Sequence, residues 1–372
     1  MNVLAIVFCS FLSHPVLVVS LAAKKAPASK IGGGFGPSKE IDFLHKADTS
    51  ESTQNLLQFL RSQNAKGLDD VEIGIHETTG VRGLFAMKNF KANQILCQIP
   101  SDCALALSDP SKNEEDAPTL AHGGANFLSN YWQDEDARRM WAPYLDTLPT
   151  MGSPQFDPTP DFFGDEELEL LEFPRLMNLA KERKAQVALV AAERGLDFDE
   201  LQFATWLAAS RAFRISIATQ DDYDPKYDDK GQIMAKAGEQ KAIRVMVPFI
   251  DMANHSSDQP NARLTLIDPE KDDAWFALEA SRPIAGGKEI VIAYGNGVES
   301  SVELFMNYGF IPKTNKIDKR MLGKGGNDCI TSAEEWTTSL EEDYSMLSMT
   351  GDDATLRKIL SFRIKLKEAY SA

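Results

Sequence analysis

The sequence predicts an α+β chain in which β-strands flank a block of helices. Three observations carry this reading. Short runs with apolar residues at every second position lie between Val71 and Pro100, and again between Ile243 and Tyr294. That is the strand period. From Thr119 to Ala212 the apolar residues recur at threes and fours, which is the helix period. The composition, 43% hydrophobic and 25% charged over 372 residues, is that of a globular chain with room for one large domain or two modest ones.

Residues 3–23 are almost wholly apolar, broken only near His14-Pro15, and Lys24-Lys25 follows. An apolar core ending in small residues, here Ser20 to Ala23, predicts a signal peptide over 1–23. The basic start of such a peptide is missing, because only Met1 and Asn2 precede the core. A membrane anchor is the alternative, but His14-Pro15 would interrupt it near its middle. Cleavage is therefore expected, with no stable membrane association afterwards. Residues 24–40 read as a transit-like linker, without an acid as far as Lys39. A signal peptide followed by such a stretch resembles the bipartite presequence of algae with secondary plastids. It implies delivery to a complex plastid, with the secretory pathway as the alternative.

Leu56, Leu57 and Leu60 predict a helix from Ser50 to Ala65, with Ser52 and Thr53 as caps. Val71 to Ile75 alternates as a strand, Thr79-Gly80 turns it, Leu84 to Met87 begins a second and Gln94 to Pro100 forms a third. A polar acidic loop, Asp109 to Pro118, precedes the helical block. Within that block, helices are expected over 166–171, 176–192 and 198–213. Residues 220–241 are charged and contain glycine, which predicts a solvent-exposed loop beside the core motif. Near the end, Leu356, Ile359, Leu360, Ile364 and Leu366 predict one helix. Arg357, Lys358, Arg363, Lys365 and Lys367 lie between them.

The formal charge is −16. The first 39 residues hold four lysines and no acid, so residues 40–372 carry −20, from 35 basic and 55 acidic residues. That argues against a nucleic-acid surface, which needs basic patches. It allows a basic substrate tail. Cys9, Cys97, Cys103 and Cys329 form no CxxC pair, so neither a zinc cluster nor a disulfide framework is supported.

The chemistry concentrates between Ile243 and Pro312. Asp251-Met-Ala-Asn254-His255 opens the stretch, Ile290-Val-Ile-Ala-Tyr294-Gly295 lies within it, and Asn307-Tyr308-Gly309-Phe310 closes it. Asn254 and His255 offer the donors and acceptors that suit a nucleoside. Tyr294 and Tyr308 offer rings that favour a sulfonium or ammonium centre. Taken singly, such tyrosines pack at strand ends and such Asn-His pairs cap turns. Gly83, after Arg82, either lets backbone approach a ligand or turns a hairpin. Asp251 and His255 stand four apart, the spacing of two metal ligands on one helical face. His14, His45, His76 and His122 are scattered, so no third ligand is at hand and no metal is expected.

The motifs RGLFA from Arg82, SRAF around Arg211, PFIDMANHS around Asp251, EIVIAYG up to Gly295 and MNYGFIP around Tyr308 occur in that order. With Trp141-Ala-Pro-Tyr144-Leu-Asp-Thr-Leu-Pro149 they resemble the SET-domain methyltransferases. The branch is that of the Rubisco large-subunit lysine methyltransferase and the actin-histidine methyltransferase. The missing cysteine-rich segment fits that branch. The resemblance covers about 50–312. It implies a β-rich, pseudoknotted SET fold with a helical insertion over about 119–213. A reduced C-terminal helical segment, 313–372, would replace a longer family lobe. It also implies S-adenosyl-L-methionine as cofactor, bound by Arg82, Gly83, Leu84, Asn254, His255 and Phe310. Tyr294 would be the catalytic residue, and Arg211, Asp251 and Tyr308 would lie on the substrate side. The implied activity is N-methylation of a protein at a lysine side chain. The alternatives are histidine methylation, or a cofactor-binding scaffold with little catalysis.

Overall fold

A computed structural model describes residues 4–7, 45–108, 119–219, 226–227, 233–234, 241–269, 274–295, 297–321 and 336–371. The expected leader and linker therefore lie outside the described residues, except for strand β1 (Leu4–Val7), which runs antiparallel to Ser216–Thr219. The acidic loop at 109–118 and most of the loop at 220–241 lie outside them too.

In chain order, β2 (His45–Ala47) precedes α1 (Glu51–Ser62), and β3 (Val71–His76), β4 (Arg82–Ala86), β5 (Ile95–Pro100) and β6 (Leu105–Ala106) follow. Helices α2 (Leu120–Phe127), α3 (Glu135–Leu145), α4 (Asp165–Leu170), α5 (Pro174–Arg194) and α6 (Phe198–Arg211) fill the helical block. Strands resume with β7 (Phe213–Thr219), β8 (Lys226–Tyr227), β9 (Ile233–Met234), β10 (Lys241–Met246), β11 (Asn254–His255), β12 (Ala262–Ile267), β13 (Trp275–Ala280) and β14 (Glu289–Ile292). Helices α7 (Ser301–Tyr308), α8 (Lys316–Met321), α9 (Leu340–Met349) and α10 (Ala354–Ser371) end the chain.

The local signals explain most boundaries. The cap of α1 is Ser50, whose hydroxyl accepts from the Thr53 N–H, rather than Ser52 or Thr53. A capping residue must sit outside the helix in extended backbone, which Ser50 does and the other two do not. Thr53 is buried and donates to Asp48 instead. Asp134 caps α3 and Asp197 caps α6, each followed by acids in the first turn. Helix α5 starts at Pro174 and stops at a left-handed Gly195.

The described strands form three small sheets and one ribbon, β8–β9. The site depends on the sheet ordered β11-β14-β4-β3-β2. β4 pairs antiparallel with β3 and β14, while β11 runs parallel to β14. A second sheet is β12-β13-β5, and a third is β1-β7-β10-β6. Joining residues from about 45 to 106 with residues from 241 to 292 gives the helical block no place within the sheets. It packs outside them, and α6 leads straight back into β7.

Two cores result. The larger gathers the sheets with α1, α2, α3 and α6. The smaller gathers Phe163, Leu168, Leu171 and Leu176 with Val302, Phe305 and Met306 of α7, and with Ile359, Phe362 and Leu366 of α10. Among the described residues the C-terminal segment forms three helices rather than the one expected. Arg363 and Lys367 do not lie on a solvated face: both are buried against Asp343 at 2.7 and 2.5 Å. No helix among the described residues is long and apolar enough to cross a membrane.

Candidate active site

Strand β10 ends in a sharp elbow. Phe249 adopts φ 74° and ψ −54° with its ring fully buried. A non-glycine residue at positive φ costs of order 1–3 kcal/mol and persists only where its surroundings impose it. The elbow leads into a single 3₁₀ turn, Ile250–Met252, and then into β11. Asp251 and His255 thus lie on a turn and a strand, not on one face of a helix.

Asp251 points inward and is 8% exposed. One carboxylate oxygen, Oδ2, accepts from the Tyr144 hydroxyl at 2.6 Å and from the Arg211 guanidinium at 3.2 Å. The other, Oδ1, is buried without a hydrogen-bond partner. Burial pushes the Asp251 pKa up, against the pull of Arg211 and Tyr144. Burial opposes charge on Arg211 as well, but Asp251 outweighs it and the pKa lies above the ordinary value. Arg82 stands close by, donating to the Thr147 carbonyl at 2.7 Å. Burial, then Arg211, depresses its pKa.

Asn254 works as a latch. Its Nδ2 donates to the Arg82 carbonyl at 3.0 Å and to Glu289 Oε1 at 2.8 Å. This explains Gly83. A Cβ there would stand 2.7 Å from Asn254 Nδ2 and 2.8 Å from Glu289 Oε1. The glycine makes room for the latch, a reason distinct from ligand approach or hairpin turning. Leu84 is fully buried in the larger core. Neither Gly83 nor Leu84 lines the cavity described below, whereas Arg82 does.

His255 has both ring nitrogens engaged. Nδ1 accepts from the Tyr294 backbone N–H at 2.9 Å, so the proton sits on Nε2, which donates to Ser257 Oγ at 2.7 Å. Burial pushes its pKa down to about 4. Among the described residues no three metal-binding side chains gather.

Strand β14 stops at Ile292, so Tyr294 lies two residues past the strand rather than on the Ile290 and Ile292 face. Both isoleucines face the core, while Tyr294 is half-buried. Its hydroxyl donates to the Ala253 carbonyl at 3.0 Å, and burial pushes its pKa up to about 12. The Tyr308 ring lies 4.6 Å from it, and the His255 ring 5.0 Å. Phe310 completes the cluster, 5.8 Å from His255. Burial raises the Tyr308 pKa too. Both phenols are neutral at physiological pH.

Two cavities meet at these residues. The larger, about 790 Å³, is lined by Arg82, Met252, Asn254, His255 and Phe310 among others. The smaller, about 520 Å³, is lined by Phe213, Ala262 and Leu264 among others. Ser210, Arg211, Asp251, Tyr294 and Tyr308 line both. Arg211 and Asp251 therefore belong to the wall between the cavities rather than to one side. A wall of neutral phenols and a half-paired carboxylate suits a cationic centre passed from one cavity to the other.

Tyr144, Glu289, Phe249 and Arg183 carry parts of the site that the sequence did not single out. Arg183 of α5 donates to the Met306 carbonyl and to Asn307 Oδ1, each at 2.7 Å, and so holds the end of α7 beside Tyr308. Tyr144 lies in the Trp141–Pro149 segment. There its spacing signals an ordinary buried helix position.

Comparisons with known proteins agree with this geometry. The family model of the SET domain matches residues 81–295. Among solved structures, the SET domain of LSMT bound to lysine and AdoHcy superposes with a TM-score of 0.58 at 16% identity, covering 87% of this chain and 90% of that one. Rubisco LSMT bound to AdoMet gives 0.57 at 16% identity, with coverages of 86% and 90%. These likenesses are of fold. No curated protein sequence matches. With more than half its length matched, the chain belongs to the SET-domain family.

Proposed function

We propose that this protein transfers the methyl group of S-adenosyl-L-methionine to the side-chain amine of a lysine in another protein. The observation that carries the reading is the wall shared by the two cavities, with Tyr294 and Tyr308 in it. A cofactor in one cavity and an amine from the other could meet there in line. Holding them so is most of the catalytic task.

The residues present fit this cofactor. Arg82, Asn254, His255 and Phe310 would hold it in the larger cavity, and the unpartnered Asp251 Oδ1 would be free to accept from its ammonium. When bound, the cofactor supplies a methyl group made electrophilic by the sulfonium. The Tyr294 hydroxyl, protonated and donating to Ala253, is placed to orient rather than to abstract a proton. The attacking amine must be neutral. Desolvation inside the cavity and the Arg211 guanidinium favour that form over the ammonium, whose ordinary pKa is about 10.4. Structures of the LSMT SET domain are bound to lysine or methyllysine together with AdoHcy, which supports lysine as the target.

The test pairs binding with transfer. S-adenosylhomocysteine should raise the unfolding temperature of the protein, because a ligand of the native state stabilises it. Labelled-methyl transfer to a plastid or whole-cell extract should place label on lysine. Tyr294→Phe keeps the ring, so it should bind the ligand near normally and lose transfer by about ten- to a hundredfold. Wild-type rates in that variant would refute the assigned role. Label on histidine refutes lysine, and binding without any transfer leaves a scaffold.

For location, the proposal is a complex plastid, supported by the apolar stretch and the acid-free run behind it. Residues 1–40 fused to a fluorescent protein should enter the secretory route and then the plastid in an alga of that kind. Diffuse cytosolic signal would refute this, and secretion to the medium would remove the transit step alone.

A further inference from the structure

We infer that the smaller cavity receives its target side chain from an acidic stretch of the substrate, with Arg214 and Arg263 contacting carboxylates beside the methylated residue. The inference rests on the methyl-transfer reading of the shared wall.

Both arginines line the mouth of that cavity. Arg214 is exposed near the start of β7, and the Arg263 side chain on β12 is 60% exposed. Arg211 lies deeper in the same wall. Asp251 is the one carboxylate among the described lining residues, and its Oδ2 is already held by Arg211 and Tyr144. Arg263 pairs with Glu279 at 2.8 Å, whereas Arg214 has no carboxylate partner among the described residues. The strand register adds to this. Arg214 stands directly across from Arg244 on β10, so two guanidinium groups share one face of the pair. Like charges so placed destabilise a sheet. Burial and then Arg214 hold the Arg244 pKa below its ordinary value.

The whole chain carries −16, which by itself would draw a basic tail. At physiological salt the field of distant acids is screened beyond about 8 Å. Arginines that touch the entering segment then outweigh the overall charge. The alternative is that their stems merely cover Phe213 and Leu264. Arg214→Met, which keeps a long stem and loses the charge, separates the two.

The experiment uses three fluorescent peptides with a central lysine, flanked by Asp and Glu, by Ser and Ala, or by Lys and Arg. Binding to the protein saturated with S-adenosylhomocysteine is read by anisotropy at low and physiological salt. The acidic peptide should bind about three- to tenfold tighter than the neutral one, less so as salt rises. The basic peptide should bind weakest. Arg214→Met should shrink the contrast, and Arg214→Glu should turn it toward the basic peptide. The thermal shift given by S-adenosylhomocysteine is measured alongside to show that each variant is folded, and the ranking in the wild type decides on its own if one is not. Equal, absent or reversed preference in the wild type overturns the inference. So does a contrast that Arg214→Met leaves unchanged. If binding appears only after Asp221, Asp222 and Asp224 are changed to Asn, the chain's own acidic run is the occupant and the inference fails. If the acidic peptide binds best but no peptide is methylated, the docking inference stands and the methyl-transfer reading falls.

Discussion

His255 is the most constrained residue of the site. Its Nδ1 must accept from Tyr294 and its Nε2 must donate to Ser257, so only one neutral tautomer satisfies both. Protonation would put a second donor against the Tyr294 N–H. The native pKa, about 4, lies below the ordinary 6.5. The unfolded chain therefore binds a proton that the native chain does not. This part of the stability is fully present above pH 6.5 and is lost as pH falls through 6.5 toward 4. After solvent screening it amounts to at most about 2 kcal/mol. Asp251 acts in the opposite sense. Its raised pKa contributes stability at low pH that is lost as pH rises. Denaturation midpoints from pH 7.5 to 4.5 should fall more steeply for the wild type than for His255→Gln. Parallel curves would mean that the ring is not protected in this way.

At the scale of elements, α7 is the pivot. Its capping box at Ser300 and Glu303 starts it, and Arg183 holds the Met306 carbonyl and the Asn307 side chain near its end. Gly309 ends it at φ 80°, where a Cβ would stand 2.0 Å from the Asp157 carbonyl oxygen. Only glycine lets the chain turn there and bring Phe310 back to His255. The other face of α7 rests on α10, which is fixed in turn by buried charges. Asp343 accepts from Arg363 and Lys367, and both cations also bond to the Thr338 hydroxyl. Asp343→Ala should cost about 3–5 kcal/mol, because it leaves the buried Lys367 without a carboxylate and Arg363 with Glu172 alone. Replacing all three with Leu, Met and Met should cost much less. Chemical denaturation of both variants decides, and equal losses would show that packing, not charge, holds the joint.

For the whole molecule, two cores meet at the active site. The larger holds Ile250, Met252 and Ala253, which flank Asp251 and lead to Asn254 and His255, while the smaller supports α7 and so Tyr308. The C-terminal segment is therefore part of the catalytic body, although no site residue lies in it. Deleting residues 354–372 removes Ile359, Phe362 and Leu366 from Val302 and Phe305. At about 1.5–3 kcal/mol per large buried side chain, that approaches the full stability of an ordinary domain. The truncated protein should lose cooperative unfolding and the thermal shift given by S-adenosylhomocysteine. A truncated form that kept both would separate α10 from the site.

What the sequence determined by itself was local or ordered along the chain. The strand alternation around Val71 and Ile290, the helical periods from Thr119 to Ala212 and the order of the motifs around Arg82, Asn254 and Tyr308 were legible because side-chain direction repeats with backbone geometry. Partnerships were not legible. Tyr144 reaches Asp251 across 107 positions, and Asn254 reaches Arg82 across 172. Periodicity says that such residues are inside, never which of them touch. Gly83 looked like a ligand or hairpin glycine, and its purpose appears only when Asn254 and Glu289 fold onto it. Arg363 and Lys367 stood in the sequence only as charges between the apolar positions of one helix, and their burial is tolerable because Asp343 pairs with both and Glu172 with Arg363. The shared wall was decided last and by tertiary structure alone. It needs α6, the turn after Phe249, the end of β14 and the end of α7 to converge, and only the packing of both cores brings them together.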